Sequence, residues 1–124
     1  MTDWNQDVLA DIAATDDLHI SPFREDGTTY GTPTWIWSVV VDGNLYVRAY
    51  NGVRSRWHQS AMAQGAGRIR AGGHTVEVTF TPADASLTGA IDAAYRAKYA
   101  DSQYLPPMVS ERTQAATVRI DPRD

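Results

Sequence analysis

Between residues 32 and 50, two runs of β-branched and aromatic residues flank Asp42-Gly43-Asn44, and a chain with that pattern is committed to an antiparallel hairpin. Val, Ile, Thr, Trp and Tyr favour a pleated, half-buried backbone, and Asp-Gly accepts the positive φ of a tight turn. On the first run Trp35, Trp37, Val39 and Val41 share one face, with Thr34, Ile36, Ser38 and Val40 on the other. Apolar residues on both sides predict one strand over residues 32–41, in the middle of a barrel and paired with residues 44–50. On the second run Leu45, Val47 and Ala49 alternate with Tyr46, Arg48 and Tyr50. One face is apolar; the other is aromatic with Arg48 at its centre and suits the lining of a groove.

The rest of the chain supplies short elements of the same kind. Trp4, Val8, Leu9 and Ile12 recur at helical spacing, with Thr2 or Asp3 as the cap. Leu18 and Ile20 alternate as a strand that Pro22 and Glu25-Asp26-Gly27 end. Ser55 is placed to cap a helix carrying Trp57, Ala61 and Met62, which Gly65 closes. Arg68-Ile69-Arg70 and Val76, Val78, Phe80 flank Gly72-Gly73 as a second hairpin. A helix is predicted over residues 86–99, Pro106-Pro107 breaks the chain, and residues 116–120 give a closing strand. Six short strands linked in sequence, with about three helices, predict a mainly β, α+β chain: an antiparallel barrel under helical covers, one domain over residues 1–124.

Charge restricts the partners. The net charge of −4 argues against a nucleic-acid binder, and no apolar run reaches the roughly 20 residues of a membrane span. The start, Met-Thr-Asp-Trp-Asn-Gln-Asp, has no leader pattern, and with no cysteine the expectation is a cytoplasmic protein without disulfides or thiolate metal sites. His19, His58 and His74 stand too far apart to suggest a metal site. Residues 43–76 contain no Asp or Glu yet hold Arg48, Arg54, Arg56, Arg68 and Arg70, a formal +5 against −9 for the remainder. Such clustering marks anion recognition.

The anion is expected at the loop and helix start formed by Asn51, Gly52, Arg54, Ser55 and Arg56, with Arg48 reaching in from its strand. Gly52 permits close backbone approach, and first-turn amides with Ser55 present donors at the positive end of a helix. Trp35, Trp37, Tyr46, Tyr50 and Trp57 offer flat apolar faces for a ring, although core packing is the ordinary fate of Trp35 and Trp37. Tyr95 and Tyr99 are expected to pack the last long helix, with Arg96 and Lys98 exposed. No residue pattern identifies a catalytic group.

The succession Leu45-Tyr46-Val47-Arg48, the Trp57 helix, residues 66–73 (Gly-Arg-Ile-Arg-Ala-Gly-Gly within them) and Ala94-Tyr95-Arg96-Ala97-Lys98-Tyr99 resembles a small uncharacterised bacterial domain family of the FMN-binding split-barrel superfamily. More distantly it is similar to the deazaflavin-dependent nitroreductases. The resemblance implies a six-stranded split barrel, a homodimer, and FMN or a deazaflavin as cofactor of an oxidoreductase acting on a small organic substrate. The cofactor residues would be Arg48, Tyr50, Asn51, Gly52, Arg54, Ser55, Arg56 and Trp57. Those enzymes carry a Gly-Arg-x-Ser-Gly turn before the central strand, whereas residues 23–31 here share only Arg24 and the glycines and add Glu25-Asp26. A second class therefore stays open: a non-redox binding protein or cofactor-free enzyme that uses the basic pocket for another small anionic ligand.

Overall fold

The structure is a computed structural model that describes residues 4–123. Seven antiparallel strands form one sheet: β1 (Leu18–Pro22), β2 (Thr34–Ile36), β3 (Ser38–Val41), β4 (Asn44–Arg48), β5 (Ala66–Ala71), β6 (His74–Pro82) and β7 (Thr117–Pro122). Their lateral order is β2-β1-β5-β6-β7-β4-β3. The two outermost strands are consecutive in the chain, so the sheet curls into a nearly closed barrel with a seam between β2 and β3.

The segment expected to be one central strand is instead both edges of the sheet. β2 pairs with β1, matching Leu18 with Ile36 and Ile20 with Thr34, while β3 pairs with β4, matching Ser38 with Val47 and Val41 with Asn44. The hairpin with β4 is as predicted, its Asp42-Gly43 turn at φ 51° and 78°. Trp37 lies between the two halves, which raises the strand count from six to seven. Along β3 the two-sided apolar pattern arises because Val40 packs against the barrel core while Val39 and Val41 are covered by a helix; on β2 Ile36 faces the core and Trp35 is exposed.

Inside the barrel, Ile36, Leu45, Val47 and Ala49 pack with Leu18, Ile20, Ile69, Val78, Phe80, Val118 and Ile120. Two helices add to this core. α1 (Gln6–Ala13) inserts Leu9 and Ile12, and Trp4 just before it donates its indole N–H to the Ile120 carbonyl at 3.0 Å. Its cap is Asn5, whose Oδ1 accepts from the Asp7 and Val8 amides; Thr2 and Asp3 lie outside the described residues. α2 (Arg56–Gln64) contributes Trp57 and Ala61 and ends at Gly65 as expected.

A second, smaller core lies outside the barrel. There Val39 and Tyr46 are covered by Ile91, Tyr95 and Tyr99 of α3 (Thr88–Lys98) and its end, and by Met108 of α4 (Leu105–Met108). α5 (Glu111–Gln114) follows, so five α-helices stand among the described residues where about three were predicted. The two extra ones have four residues each, too short for a periodic signature.

α3 also closes the seam. The Tyr99 ring stacks on Trp37 with centroids 3.9 Å apart and planes 4° from parallel. Lys98 Nζ donates to the Ser38 carbonyl at 2.8 Å, the Ser38 amide donates to the Tyr99 hydroxyl, and Tyr95 reaches the Trp37 carbonyl at 3.4 Å. Side chains from one helix thus satisfy backbone groups that a neighbouring strand would otherwise pair. Lys98 is therefore half-buried rather than exposed, and burial lowers its amine to about 8; Arg96 is exposed as expected.

Candidate functional site

Arg48 leaves the barrel wall on its outer side and is sealed beneath α3 and α4, 1% exposed. Its Nε donates to Thr117 Oγ1 at 2.9 Å, and Nη1 donates to Asp92 Oδ1 and to the Met108 carbonyl at 2.9 Å. The other Asp92 oxygen accepts from Gln114 Nε2 at 3.0 Å. The guanidinium also lies 5.3 Å from the Tyr95 ring centroid, and burial drives that phenol far above its usual range. Arg48 Nη2 is buried and has no hydrogen-bond partner among the described residues.

Arg48 also lines, with Trp35, Trp37, Tyr50, Tyr104 and Met108, an open cleft of about 380 Å³, although its side chain has no contact with solvent. Trp35 is 55% exposed, Tyr50 42% and Tyr104 54%; with Val53 they are the large exposed hydrophobics among the described residues. Exposed aromatics converging on one concavity form a candidate binding surface. The backbone explains the convergence. Trp35 on β2 and Trp37 at the break flank the seam, Tyr50 follows β4 next to it, and Tyr104 and Met108 come from α4 and its approach. Trp35 is held from behind, its indole N–H donating to the Asp16 carbonyl at 2.7 Å.

The predicted anion site adjoins this cleft. Gly52–Arg54 forms a 3-10 turn before α2, and Gly52 adopts φ 73° with Arg112 against it. A Cβ there would stand 2.6 Å from Arg112 Cγ, so the turn is fitted to α5. Arg112 in turn lies over the Tyr50 ring, 5.4 Å from its centroid, at the rim of the cleft. Asn51, Arg54 and Arg56 are exposed, and Arg54 and Arg56 have no ion pair among the described residues. Ser55 precedes α2, but its side chain makes no capping bond.

The structure separates other residues grouped by sequence. Trp57 is 8% exposed, packs inside the barrel core and is no part of the cleft, and Tyr46 is sealed under α3. Arg48 does not reach the 51–56 turn as an unmatched charge, because Asp92, 44 positions along the chain, neutralises it. Arg68 lies over the Tyr30 ring at 4.0 Å, while Arg70 is exposed. His19 approaches Asp17, His74 approaches Asp11 at 2.8 Å, and His58 packs edge-on against Trp57, its pKa lowered by burial. Among the described residues no three His, Asp or Glu side chains gather as metal ligands, and no helix is long and apolar enough to cross a membrane.

Tyr104, Met108, Asp92 and Arg112 escaped the sequence reading. Tyr104, Met108 and Arg112 lie on or just before the short α4 and α5, which give little pattern, whereas Asp92 lies on the predicted helix α3 and nothing local pairs it with Arg48. Trp35 was visible but assigned to core packing. Its spacing of two from Trp37 on one strand face was the available signal that both look outward.

Fold and cleft together define an α+β barrel protein with an aromatic, arginine-backed groove across its seam. The model of a bacterial family matches residues 8–120, nearly the whole chain, and the chain belongs to that family: DUF2255, described as uncharacterised proteins conserved in bacteria. No curated protein matches it.

Proposed function

We propose that this protein binds a flat ring in the seam cleft, with a flavin or deazaflavin as the ligand, and serves as an oxidoreductase on a small organic substrate. The observation that carries the reading is the convergence of Trp35, Tyr50 and Tyr104, all exposed, with Trp37 on one concavity backed by Arg48. A volume of about 380 Å³ falls within the usual range for small-molecule sites. Arg112 at the rim, with Arg54 and Arg56 on the neighbouring turn, offers donor forks to an anionic tail. A bound flavin would supply the hydride or electron chemistry; the chain's part is to stack the ring, hold its tail and limit water. A homodimer, with aromatic surface shared between copies, belongs to the same reading.

One feature favours the non-redox alternative. Asp26 accepts from the Thr28 and Thr29 amides at 2.9 and 2.8 Å and from the Thr29 hydroxyl, and these bonds hold its carboxyl down at about 2. Arg24 is turned to Thr32 at 3.4 Å. The turn that should receive a phosphate in the resembling enzymes is thus self-satisfied and anionic near neutral pH. Titrating the full chain with riboflavin, FMN and a deazaflavin, followed by visible absorbance and Trp fluorescence, separates the two classes. Saturable binding with a shifted visible band is the expected result. Failure of all three to bind, with colourless protein from the native host, overturns the redox reading.

A further inference from the structure

Resting on the reading of the cleft as a ring site, we propose that the ligand's inner end is a neutral acceptor edge, a ring carbonyl or carboxamide, that takes the free donors of Arg48 Nη2. Three observations combine. Among the described residues Nη2 is the guanidinium nitrogen without a hydrogen-bond partner; it has no contact with solvent and belongs to a residue that lines the cleft, so a ligand reaches it only as the wall yields. A buried donor left unpaired is costly, so a ligand acceptor there gains more than one placed against water.

The charge of Arg48 is already matched. Asp92 sits on Nη1, and its second oxygen is engaged by Gln114. A ligand carboxylate on Nη2 would be a second anion on one guanidinium, close to the Asp92 carboxylate and without bulk water to screen them. A carbonyl oxygen accepts the same hydrogen bonds without adding charge. The ring walls Trp35, Trp37, Tyr50 and Tyr104 are flat and largely apolar, which selects a planar molecule. Met108, unbranched and at the same wall, is the side chain able to yield as the edge presses in. The class is therefore planar heteroaromatic carbonyl compounds, with any negative charge confined to the Arg112 end.

Nicotinamide and nicotinate have the same shape and differ in this property, so they serve as probes. With the full chain near neutral pH, ligand-observed NMR should show nicotinamide binding about tenfold or more tightly than nicotinate. Asp92→Asn, which removes the matching anion and keeps the shape, should reverse that order. Equal or tighter binding of nicotinate by the unsubstituted protein overturns the inference, as does failure of both probes. Should Asp92→Asn not fold, the comparison on the unsubstituted protein still decides. The two readings fail separately. Riboflavin binding without preference for nicotinamide removes the Arg48 edge and leaves the flavin site, whereas nicotinamide preference without flavin binding does the reverse.

Discussion

Asp92→Ala tests the buried pair beneath the cleft. The Arg48 side chain is fully out of contact with water, and that of Asp92 is 12% exposed. Deleting one partner of a buried ion pair costs about 3–5 kcal/mol, because the remaining charge keeps its desolvation penalty and loses its compensation. Arg48 would retain Thr117 and the Met108 carbonyl, and water has some access to the Asp92 position. The lower end, about 3 kcal/mol, is therefore expected. With a urea slope of about 2 kcal/mol/M, the unfolding midpoint should fall by about 1.5 M with the slope unchanged. An Arg48→Met/Asp92→Leu double variant removes both charges, and apolar replacement of a buried pair is often neutral. It should recover most of the loss. A midpoint change under about 0.5 M for Asp92→Ala, or a double variant as unstable as the two single ones added together, would refute the view of Asp92 as the charge that allows Arg48 to be buried.

Other positions give sharper readouts of single features. Tyr50→Ala and Tyr104→Ala should each weaken riboflavin binding by about 0.5–1.5 kcal/mol while the melting temperature holds, since both rings are exposed; unchanged affinity in both removes the aromatic cleft as the ring site. FMN should bind more tightly than riboflavin, and Arg54→Ala with Arg56→Ala should erase most of the difference, roughly tenfold; a ratio within twofold of the unsubstituted protein places the phosphate elsewhere. Gly52→Ala combines a left-handed φ with a contact against Arg112 and should lose about 1–3 kcal/mol in chemical denaturation, an equal midpoint being the contrary result. Burial holds the His58 pKa below the ordinary imidazole value of 6.5, so the unfolded chain takes up a proton that the native state resists. Stability should decline as pH falls from about 6.5 toward the native pKa, and His58→Gln should flatten that slope; parallel curves for the two proteins would contradict it.

What could be read from the chain depended on whether the signal was local. The Asp42-Gly43 hairpin, the Gly72-Gly73 hairpin and the Trp57 helix carry turn and period signals within a few residues, and each forms where expected. The place of residues 34–41 in the sheet was not legible, because burial on two faces is shared by central strands and by seam strands covered on one side. The acid-free stretch suggested unmatched arginines, yet Arg48 finds its carboxylate on α3 and Arg68 lies over Tyr30. Sequence proximity is a poor guide to charge pairing once helices fold back over a sheet. Residues 48, 50 and 52 do lie at or beside the cleft. Its far wall comes from Tyr104 and Met108, which the proline break at 106–107 concealed.

The seam would give an occupied cleft a mechanical role. Trp35 belongs to one edge of the sheet, Trp37 to the break, and Tyr50 follows the strand that anchors the other edge, so a molecule resting on all three bridges the barrel's opening like a clasp. Occupancy would then be linked to closure: a ligand that needs both edges together stabilises the shut barrel by an amount that grows with its concentration over its Kd. Amide exchange across residues 34–41 should slow on binding more than exchange in β5 or β6, which lie away from the seam.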